Sequence, residues 1–540
     1  MTQTARVVAW VRAHPWPVAF GAVAALVATL RLVGLDSAPP GLYSDEASIG
    51  YNAWSIAHYG VDEHGHRFPL YFEAFGEYKN PLYIYLLAPF TLVLPLTPYV
   101  ERLPAALCGL GTVAAVAGAA WTLTRNRGVT LAALLTAAVT PWLALQSRVG
   151  FEVPVMTLTL TLAICLYAVA TRDGRMEWRW LLATGVALGL SIYAYSSGRA
   201  GVAAVVVAMV VLDPRWRRRS ILPLLAPVGL AYAALGLYAR ANPGNLTKRY
   251  DILSIGADNP GLLTEAGRLV RNYVTYLGVP FLFTNGDANP RHNTGYGGML
   301  LVVSLPLVLL GLVHCVRHWR SPVSRLVVAM LAVGPVPAAL TYEGTPHALR
   351  ASAMLPALLV LMAMGWVELW PALTGRRLLA GAVAVALAVD AGGFQWDLMV
   401  RYPGRALGAF DTGQLAAIRT AHDLAAPGGH HVFISERLDV PYIQVLFALH
   451  PPPVDLPWPG NEAPAMAQVG VSTLPSAVDM TGTAGPGDLL VLAPGETPPE
   501  GAQLVETEAV TVAPEAASLD PAFFGQPPAQ PVVLAVVYRR

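Results

Sequence analysis

The apolar residues between Val18 and Trp396 fall into long blocks that are separated by short polar loops. Such blocks suit helices that cross a hydrocarbon core of ~30 Å, and a soluble core contains no such series. The pattern therefore predicts an all-α polytopic membrane bundle. We expect spans near residues 18–35, 103–124, 129–146, 153–171, 180–197, 200–212, 221–240, 298–316, 326–341, 351–370 and 378–396.

Short arginine clusters indicate which loops face the cytoplasm. The positive-inside rule assigns to that side the clusters at residues 125–127, 172–179, 215–219, 317–325 and 376–377. The first block follows Arg6 and Arg12, lacks a small-residue cleavage site and precedes further spans. We therefore expect a first transmembrane helix with a cytoplasmic N-terminus rather than a signal peptide. The polar stretch 36–80 is then the first outward loop.

A short apolar run, Leu82–Leu96, follows this loop and is interrupted by Pro89 and Pro95. If this run crossed the membrane, every later arginine cluster would lie outside, against the charge bias. We predict instead a proline-broken juxtamembrane or re-entrant segment at 82–97. About eleven true spans then remain in a membrane domain of residues 1–400.

The composition changes near Tyr402, where proline, glycine, alanine and aspartate become frequent. A helical stretch near 407–425 precedes strand-like runs at His431–Ser435, Tyr442–Leu449, Leu489–Leu492 and Val532–Tyr538. We expect residues 401–540 to form a small soluble α/β domain on the extracytoplasmic side. This domain contains no nucleotide-binding or metal-binding motif, which favours a lid or scaffold.

Composition and charge exclude several classes of function. Hydrophobic residues make up 55% of the chain and charged residues 13%, about half the charged share of a soluble domain. The net charge is +1 and the basic residues are scattered over loops, so we expect no nucleic-acid binding. Cys108, Cys165 and Cys315 lie inside apolar blocks without CxxC spacing, which is typical of packing residues.

The first outward loop contains two acidic pairs and a lysine. Ser44-Asp45-Glu46 precedes a helix-like stretch, where Ser44 can cap the helix and the acids favour its dipole. Asp62-Glu63-His64 is either a second acidic site or a solvated turn. Lys79, in Glu77-Tyr78-Lys79-Asn80-Pro81, lies where the chain re-enters the membrane, and its ammonium needs an anion, water or a headgroup.

Later outward loops add further charged and polar side chains. Arg148 and Glu152 lie in a tight turn between two predicted spans. They are either part of a site or a simple ion pair. His292 follows Arg291, and His347 precedes Arg350 in the loop that begins at Glu343. These residues are either interfacial or part of a site.

This collection of carboxylates and cations fits a particular chemistry. A cation stabilises the charge of a departing lipid phosphate, and a carboxylate accepts the proton of an attacking hydroxyl or amine. The sequence has no His/Cys zinc set, so metal-dependent hydrolysis is unsupported. We expect no cofactor, and a divalent metal stays open.

The motifs resemble those of the large C-type-fold membrane glycosyltransferases, especially the protein O-mannosyltransferases and lipid A aminoarabinose transferases. The resemblance covers roughly residues 18–400 in architecture. It is carried by an ordered set of short motifs: Ser44-Asp45-Glu46, Tyr78-Lys79-Asn80-Pro81, Arg102-Leu103-Pro104, Ser147-Arg148 and His347-Ala348-Leu349-Arg350.

The resemblance implies a sugar donor linked to polyprenyl phosphate. We expect an acceptor outside the cytoplasm and inversion at the sugar. The resemblance makes Asp45 the catalytic base and Lys79 a ligand of the carrier phosphate. Glu152 is the nearest counterpart of the family's second carboxylate. Asn80 departs from the pattern, since it replaces the first of two prolines. The acceptor stays open between protein, lipid and glycan.

We assign the remaining candidates by charge and position. Glu46 or Glu152 orients the acceptor or a cation, and at least two of Lys79, Arg148 and Arg350 contact the carrier phosphate. Tyr78, His292 and His347 complete the set of substrate-binding residues. Adjacent side chains on a helix diverge, so Asp45 and Glu46 cannot both point at one atom, and Asp45 is the base that the resemblance implies.

Two alternatives remain at this point, a lipid or solute transporter or flippase and a non-catalytic assembly protein. Transport sites place ionisable residues near the centres of spans. Here the span centres are nearly free of them, since Glu368 and Asp390 fall near span ends. A transferase in the inner (cytoplasmic) membrane is therefore favoured.

Overall fold

The structure is a computed structural model of the 540-residue chain. It describes residues 13–216, 218–454, 463–510 and 532–540. Within these ranges, seven helices are long and apolar enough to cross a membrane. They are Pro15–Leu32, Pro98–Thr124, Val153–Ala170, Ser220–Ala241, Pro322–Ala339, Ala348–Leu373 and Arg377–Arg405.

Shorter helices complete the membrane part. Four of them are apolar: Pro81–Val93, Arg127–Val139, Ser196–Leu212 and Val302–Arg317. The others in this part are Ser44–Tyr59, Pro141–Gln146, Trp178–Ala194, Lys248–Leu253 and Leu262–Leu277. The chain is a mostly helical multipass membrane protein, as the sequence predicts. Eleven spans, and the side on which each loop lies, remain predictions.

Prolines mark where several helices begin. Pro81, Pro141 and Pro322 are each the first helical residue of their helix. Their fixed φ suits the first turn, and the N–H that proline lacks has no partner within the helix there. Pro141 therefore divides the predicted block 129–146 into two helices.

The helix Pro81–Val93 corrects one expectation. The predicted break at Pro89 is wrong, because Pro89 lies inside this helix and the helix ends beyond it. An interior proline removes one backbone hydrogen bond, and the buried neighbours Leu87 and Ala88 keep the helix packed. Its 13 residues span about 20 Å, less than a hydrocarbon core of ~30 Å.

The chain divides into two compact units. The first consists of the described residues of Met1–Val33, Ala105–Arg148 and Glu152–Gln395, and it is helical. The second consists of the described residues of Gly34–Pro104, Val149–Phe151 and Trp396–Arg540. It therefore contains the predicted first outward loop and the C-terminal region.

The C-terminal region contains a five-stranded sheet, which confirms the predicted small α/β domain. The strands lie in the order Val471–Leu474, Val432–Ser435, Leu489–Leu492, Val532–Arg539 and Gln503–Val510. The first three are parallel, and the other two are antiparallel to their neighbours. The accompanying helices are Gln414–Ala425, Pro441–Leu449 and Ala477–Thr483. The sequence reading missed the strands at 471–474 and 503–510.

The strand predicted at Tyr442–Leu449 is wrong, because these residues form the helix Pro441–Leu449. Proline at the first position starts the helix, and eight of its nine residues are buried. A helix that is buried all round has no polar face, so its sequence does not differ from that of a buried strand. It shares a hydrophobic core with the first-loop residues Leu42, Ala47 and Tyr51.

Candidate active site

The helix Ser44–Tyr59, here the first-loop helix, carries the acidic pair in its first turn. The helix already includes Ser44, and the preceding Tyr43 makes no side-chain cap. The expectation that Ser44 caps the helix is therefore wrong, and its hydroxyl instead donates to Asp439 Oδ2 over 3.4 Å. Adjacent helical residues diverge by about 100°, so Asp45 and Glu46 meet different partners.

Glu46 is held by Arg102 in a fully buried ion pair. Arg102 Nε and Nη2 donate to the two carboxylate oxygens over 2.7 and 2.8 Å. The backbone N–H of Gly150 donates to the same carboxylate over 2.8 Å. Arg102 also donates, over 2.8 Å each, to the carbonyl oxygens of Leu35, Pro39 and Gly41. The pair thus ties the first outward loop to the start of the first-loop helix.

Asp45 forms an ion pair with Lys79, and its side chain is 35% exposed. Lys79 lies on a hairpin in which Phe72–Ala74 pairs with Glu77–Lys79. Its ammonium also lies 5.0 Å from the ring centre of Phe75. Tyr78 projects to the opposite face of the hairpin from Lys79, since side chains alternate along a strand. Asp45 is therefore an accessible acid with a cation beside it.

The second acidic pair forms a tight turn. Asp62 Oδ1 accepts the backbone N–H groups of His64 and His66 over 3.0 and 2.8 Å. Glu63 is 3% exposed, and within the described ranges neither of its carboxylate oxygens has a hydrogen-bond partner. Burial, and then the charge of Asp62, raise the pKa of Glu63 well above its usual range, while Lys79 opposes the shift. The neutral acid is therefore favoured.

Residues of the C-terminal region lie beside the first-loop helix. Asp439 accepts the hydrogen bond of Ser44, and the ring centre of Tyr442 lies 6.1 Å from that of Phe75. Val440, which lies between Asp439 and Tyr442 in the sequence, has φ 40°. This left-handed conformation is strained for a β-branched residue. Such strain is concentrated at functional sites in proteins. The region thus contributes side chains next to the acidic pair, in addition to any role as a lid.

In the helical unit, Arg148 is fully buried. Its Nη1 donates to the carbonyl oxygen of Leu30 over 3.1 Å, and its Nη2 donates to that of Val33 over 2.8 Å. Both carbonyls belong to the C-terminal end of the first candidate span, whose partial negative charge a cation offsets. Glu152 is 3% exposed and directly precedes the span that begins at Val153.

The side chains of His292 and His347 lie next to Asp287. The sequence analysis did not predict Asp287 as a site residue. Nδ1 of His292 lies 2.7 Å from Asp287 Oδ2, and the two imidazole ring centres are 4.5 Å apart. Asp287 Oδ2 also accepts the backbone N–H of Ala348 over 2.7 Å. One ligand atom from each of the three side chains lies within 4.8 Å of the other two. Two imidazoles and a carboxylate at this spacing can hold a divalent metal.

The environment of His347 favours a neutral imidazole. Burial, and then nearby positive charges, lower the pKa of His347 to about 2. Its Nδ1 has no hydrogen-bond partner in the part of the chain that the structure describes. Its backbone N–H donates to the hydroxyl of Tyr276 over 3.1 Å. A neutral ring with such a nitrogen can accept a hydrogen bond or bind a metal.

Arg350 lies in the same loop as His347. Its Nη1 donates to the carbonyl oxygen of Glu343 over 2.9 Å and to Thr341 Oγ1 over 3.2 Å. Its Nη2 lies 3.4 Å from Glu343 Oε2, and its side chain is 13% exposed. Contact of Arg350 with a carrier phosphate remains a prediction.

A family model described as dolichyl-phosphate-mannose-protein mannosyltransferase matches residues 78–238. Among solved structures, ArnT from Cupriavidus metallidurans bound to undecaprenyl phosphate is similar, with a TM-score of 0.58 and 13% identity. The similarity covers 97% of this chain and 98% of that one. Apo ArnT from the same organism is similar with a TM-score of 0.59 and 13% identity, and the similarity covers 98% of each chain. No curated protein sequence matches the chain.

The chain is a membrane glycosyltransferase with the C-type fold. At 13% identity the likeness to ArnT establishes the fold, and the family model adds the enzyme class. The predicted resemblance is thereby confirmed, and the transporter and assembly-protein alternatives are set aside. The roles of individual residues in this glycosyltransferase remain predictions.

Two signals in the sequence point to site residues that the prediction left out. Asp287 lies five positions before His292 in an Asn/Gly/Asp-rich loop, a composition that suits ligands presented by turns. Asp439 lies between a buried strand and Pro441, at the carboxyl end of a parallel strand, where α/β domains commonly bind ligands. The pairing of Glu46 with Arg102 carries no local signal, because the two residues are 56 positions apart.

Proposed function

We propose that this glycosyltransferase moves a sugar from a polyprenyl-phosphate carrier to an acceptor hydroxyl or amine on the extracytoplasmic face of the inner membrane, with inversion. The observation that carries the proposal is the Asp45–Lys79 ion pair at the start of the first-loop helix. It presents a partly exposed carboxylate and a cation side by side. These are the two groups that the reaction requires.

Asp45 is the base of the proposed reaction. An acceptor oxygen or nitrogen attacks the anomeric carbon, and its proton passes to the Asp45 carboxylate. The bond between the anomeric carbon and the phosphate oxygen breaks as the new bond forms, so the configuration inverts. The carrier leaves as polyprenyl phosphate, and it needs no proton from an acid. One carboxylate is therefore sufficient.

Lys79 is the proposed ligand of the carrier phosphate. Without donor, its ammonium pairs with Asp45. When the donor enters, its singly charged phosphodiester competes with the carboxylate for the ammonium. Lys79 then contacts the phosphate, and the Asp45 carboxylate takes the acceptor proton. The undecaprenyl phosphate bound to the structurally similar ArnT supports a carrier of this class.

Glu46 is a positioning residue in this proposal. Its carboxylate is fully buried and takes three hydrogen bonds, from Arg102 and Gly150, so it has no access to an acceptor. It orients a cation, Arg102, and fixes the turn that carries Asp45. Glu152, also buried, is proposed for a supporting rather than a proton-accepting role.

The function can be tested with purified protein in lipid nanodiscs and radiolabelled undecaprenyl-phosphate sugars. The wild type should release free undecaprenyl phosphate from at least one of them. Lys79→Ala should raise the half-saturating donor concentration at least tenfold, since it removes a charge-assisted contact of ~1.5–3 kcal/mol. Lys248→Ala is the matched control, because Lys248 is an exposed lysine of the helical unit. Tight donor binding without release by the wild type would contradict the proposal.

A further inference from the structure

The helix Leu262–Leu277 has its apolar residues on the wrong side for a soluble protein. Its large apolar side chains are highly exposed, with Leu263 at 90%, Val270 at 62% and Val274 at 61%. At 100° per residue, the exposed set falls within an arc of about 120°. We call it the outer face, and it consists of Leu262, Leu263, Val270, Val274 and Leu277.

The opposite side of the same helix is polar and faces the protein. Asn272 Nδ2 donates to the carbonyl oxygens of Ala339 and Thr341 over 3.2 and 3.1 Å. Tyr273 lies near the Leu262 edge of the outer face, and its hydroxyl donates to the carbonyl oxygen of Ala332 over 2.8 Å. Tyr276 is fully buried. A helix on a water-facing surface has the reverse arrangement, with its apolar stripe toward the core.

Two of these contacts attach the helix to a membrane span. Ala332 and Ala339 both belong to the candidate span Pro322–Ala339, and Ala339 is its last residue. The helix therefore runs beside the C-terminal part of a candidate span. The helix itself contains Glu265, Arg268 and Arg271, so it is unsuited to crossing the membrane.

The flank of the helix suits lipid headgroups. Arg271 is exposed at the border of the outer face, about 60° beyond Val274. The preceding helix Lys248–Leu253 adds exposed Tyr250 and Ile252. An apolar face bordered by arginine and tyrosine is typical of a helix that lies in the membrane interface.

We propose that the helix Leu262–Leu277 lies in the plane of the membrane interface, with its outer face inserted among the lipid acyl chains. Its polar side then holds the loop that carries His347 at the membrane surface, because the hydroxyl of Tyr276 accepts the backbone N–H of His347 over 3.1 Å. The partner of this surface is the bilayer, and not a second protein chain.

The proposal can be tested by nitroxide labelling without any assay of activity. Single cysteines replace Leu263 and Val270 in full-length protein whose three native cysteines are changed to alanine. In nanodiscs of phosphatidylethanolamine and phosphatidylglycerol, collision with oxygen reports lipid, and collision with an aqueous nickel chelate reports water. Leu230, 73% exposed on a candidate span, is the lipid control. Val478, 78% exposed in the C-terminal region, is the water control.

The labels at Leu263 and Val270 should give an oxygen-to-nickel ratio several-fold above that at Val478 and close to that at Leu230. A ratio equal to that at Val478 would show that the outer face is in water and would overturn the proposal. Low access of both reagents would also overturn it, since another protein surface would then cover the helix.

Discussion

Replacing Arg102 by lysine tests how the start of the first-loop helix is held. In the wild type the guanidinium makes five hydrogen bonds, two to Glu46 and three to backbone carbonyl oxygens. A lysine ammonium keeps the charge but has three donors, so at least two of these bonds are lost. Hydrogen bonds to charged groups contribute ~1.5–3 kcal/mol each, so the local cost is at least about 3 kcal/mol.

This cost should appear as local opening rather than as global unfolding. The lost bonds tie residues 34–46 to Arg102, so Arg102→Lys should accelerate amide hydrogen exchange in that segment. A loss of ~3 kcal/mol corresponds to roughly 100-fold faster exchange, at ~1.4 kcal/mol per factor of ten. Hydrogen exchange with mass spectrometry of the protein in nanodiscs gives the rates segment by segment.

Arg405→Lys is the matched control. Arg405 is also buried in the second unit and donates to Asp397 Oδ2 over 2.6 Å. This change should leave exchange in 34–46 at the wild-type rate. If Arg102→Lys alters exchange in that segment by less than about twofold, the anchoring role of the Glu46–Arg102 pair is refuted.

Three further changes have defined outcomes. Gly150→Ala should lower the thermal midpoint, at a cost of ~1–3 kcal/mol from overpacking, because its Cβ would overlap the Glu101 carboxylate. Gly201→Ala, with open space around its Cβ, should not lower it. Glu63 has a raised pKa, so its contribution to stability is complete below pH ~4.3 and is lost as the pH rises. Glu63→Gln should therefore match the wild type in thermal melts at pH 4 and exceed it at pH 8. Arg350→Lys, which loses the planar fork, should bind undecaprenyl phosphate more weakly in a titration; unchanged affinity there and in Lys79→Ala would refute the phosphate assignment.

Much of the membrane architecture could be predicted because lipid imposes a simple requirement on sequence. A span must be apolar over many consecutive residues, and that pattern is local. The short polar motifs of the outward loops could be recognised for the same reason, since Asp45 and Lys79 each lie in a compact stretch of sequence. The helix Pro441–Leu449 escaped prediction because complete burial removes the periodicity that separates a helix from a strand.

The division of labour between Asp45 and Glu46 depends on contacts that are distant in sequence. Nothing near Glu46 indicates that Arg102 and Gly150 will surround it. The helix Leu262–Leu277 was missed for another reason. Its polar and apolar residues average to a near-neutral hydropathy, so it does not form an apolar block. Its apolar residues do follow a period of 3.6 residues.

Turnover of Asp45→Asn tests the central claim most directly. The substitution is nearly isosteric and removes only basicity and charge, so folding and donor binding should persist. The initial rate of undecaprenyl phosphate release, with saturating donor and an acceptor that supports wild-type turnover, should fall ~100-fold or more. Glu46→Gln, Asp62→Asn and Glu152→Gln, each checked for monodispersity, should lose less. A rate near that of the wild type in Asp45→Asn would contradict the account, and a collapse confined to Asp62→Asn would move the base to the second acidic pair.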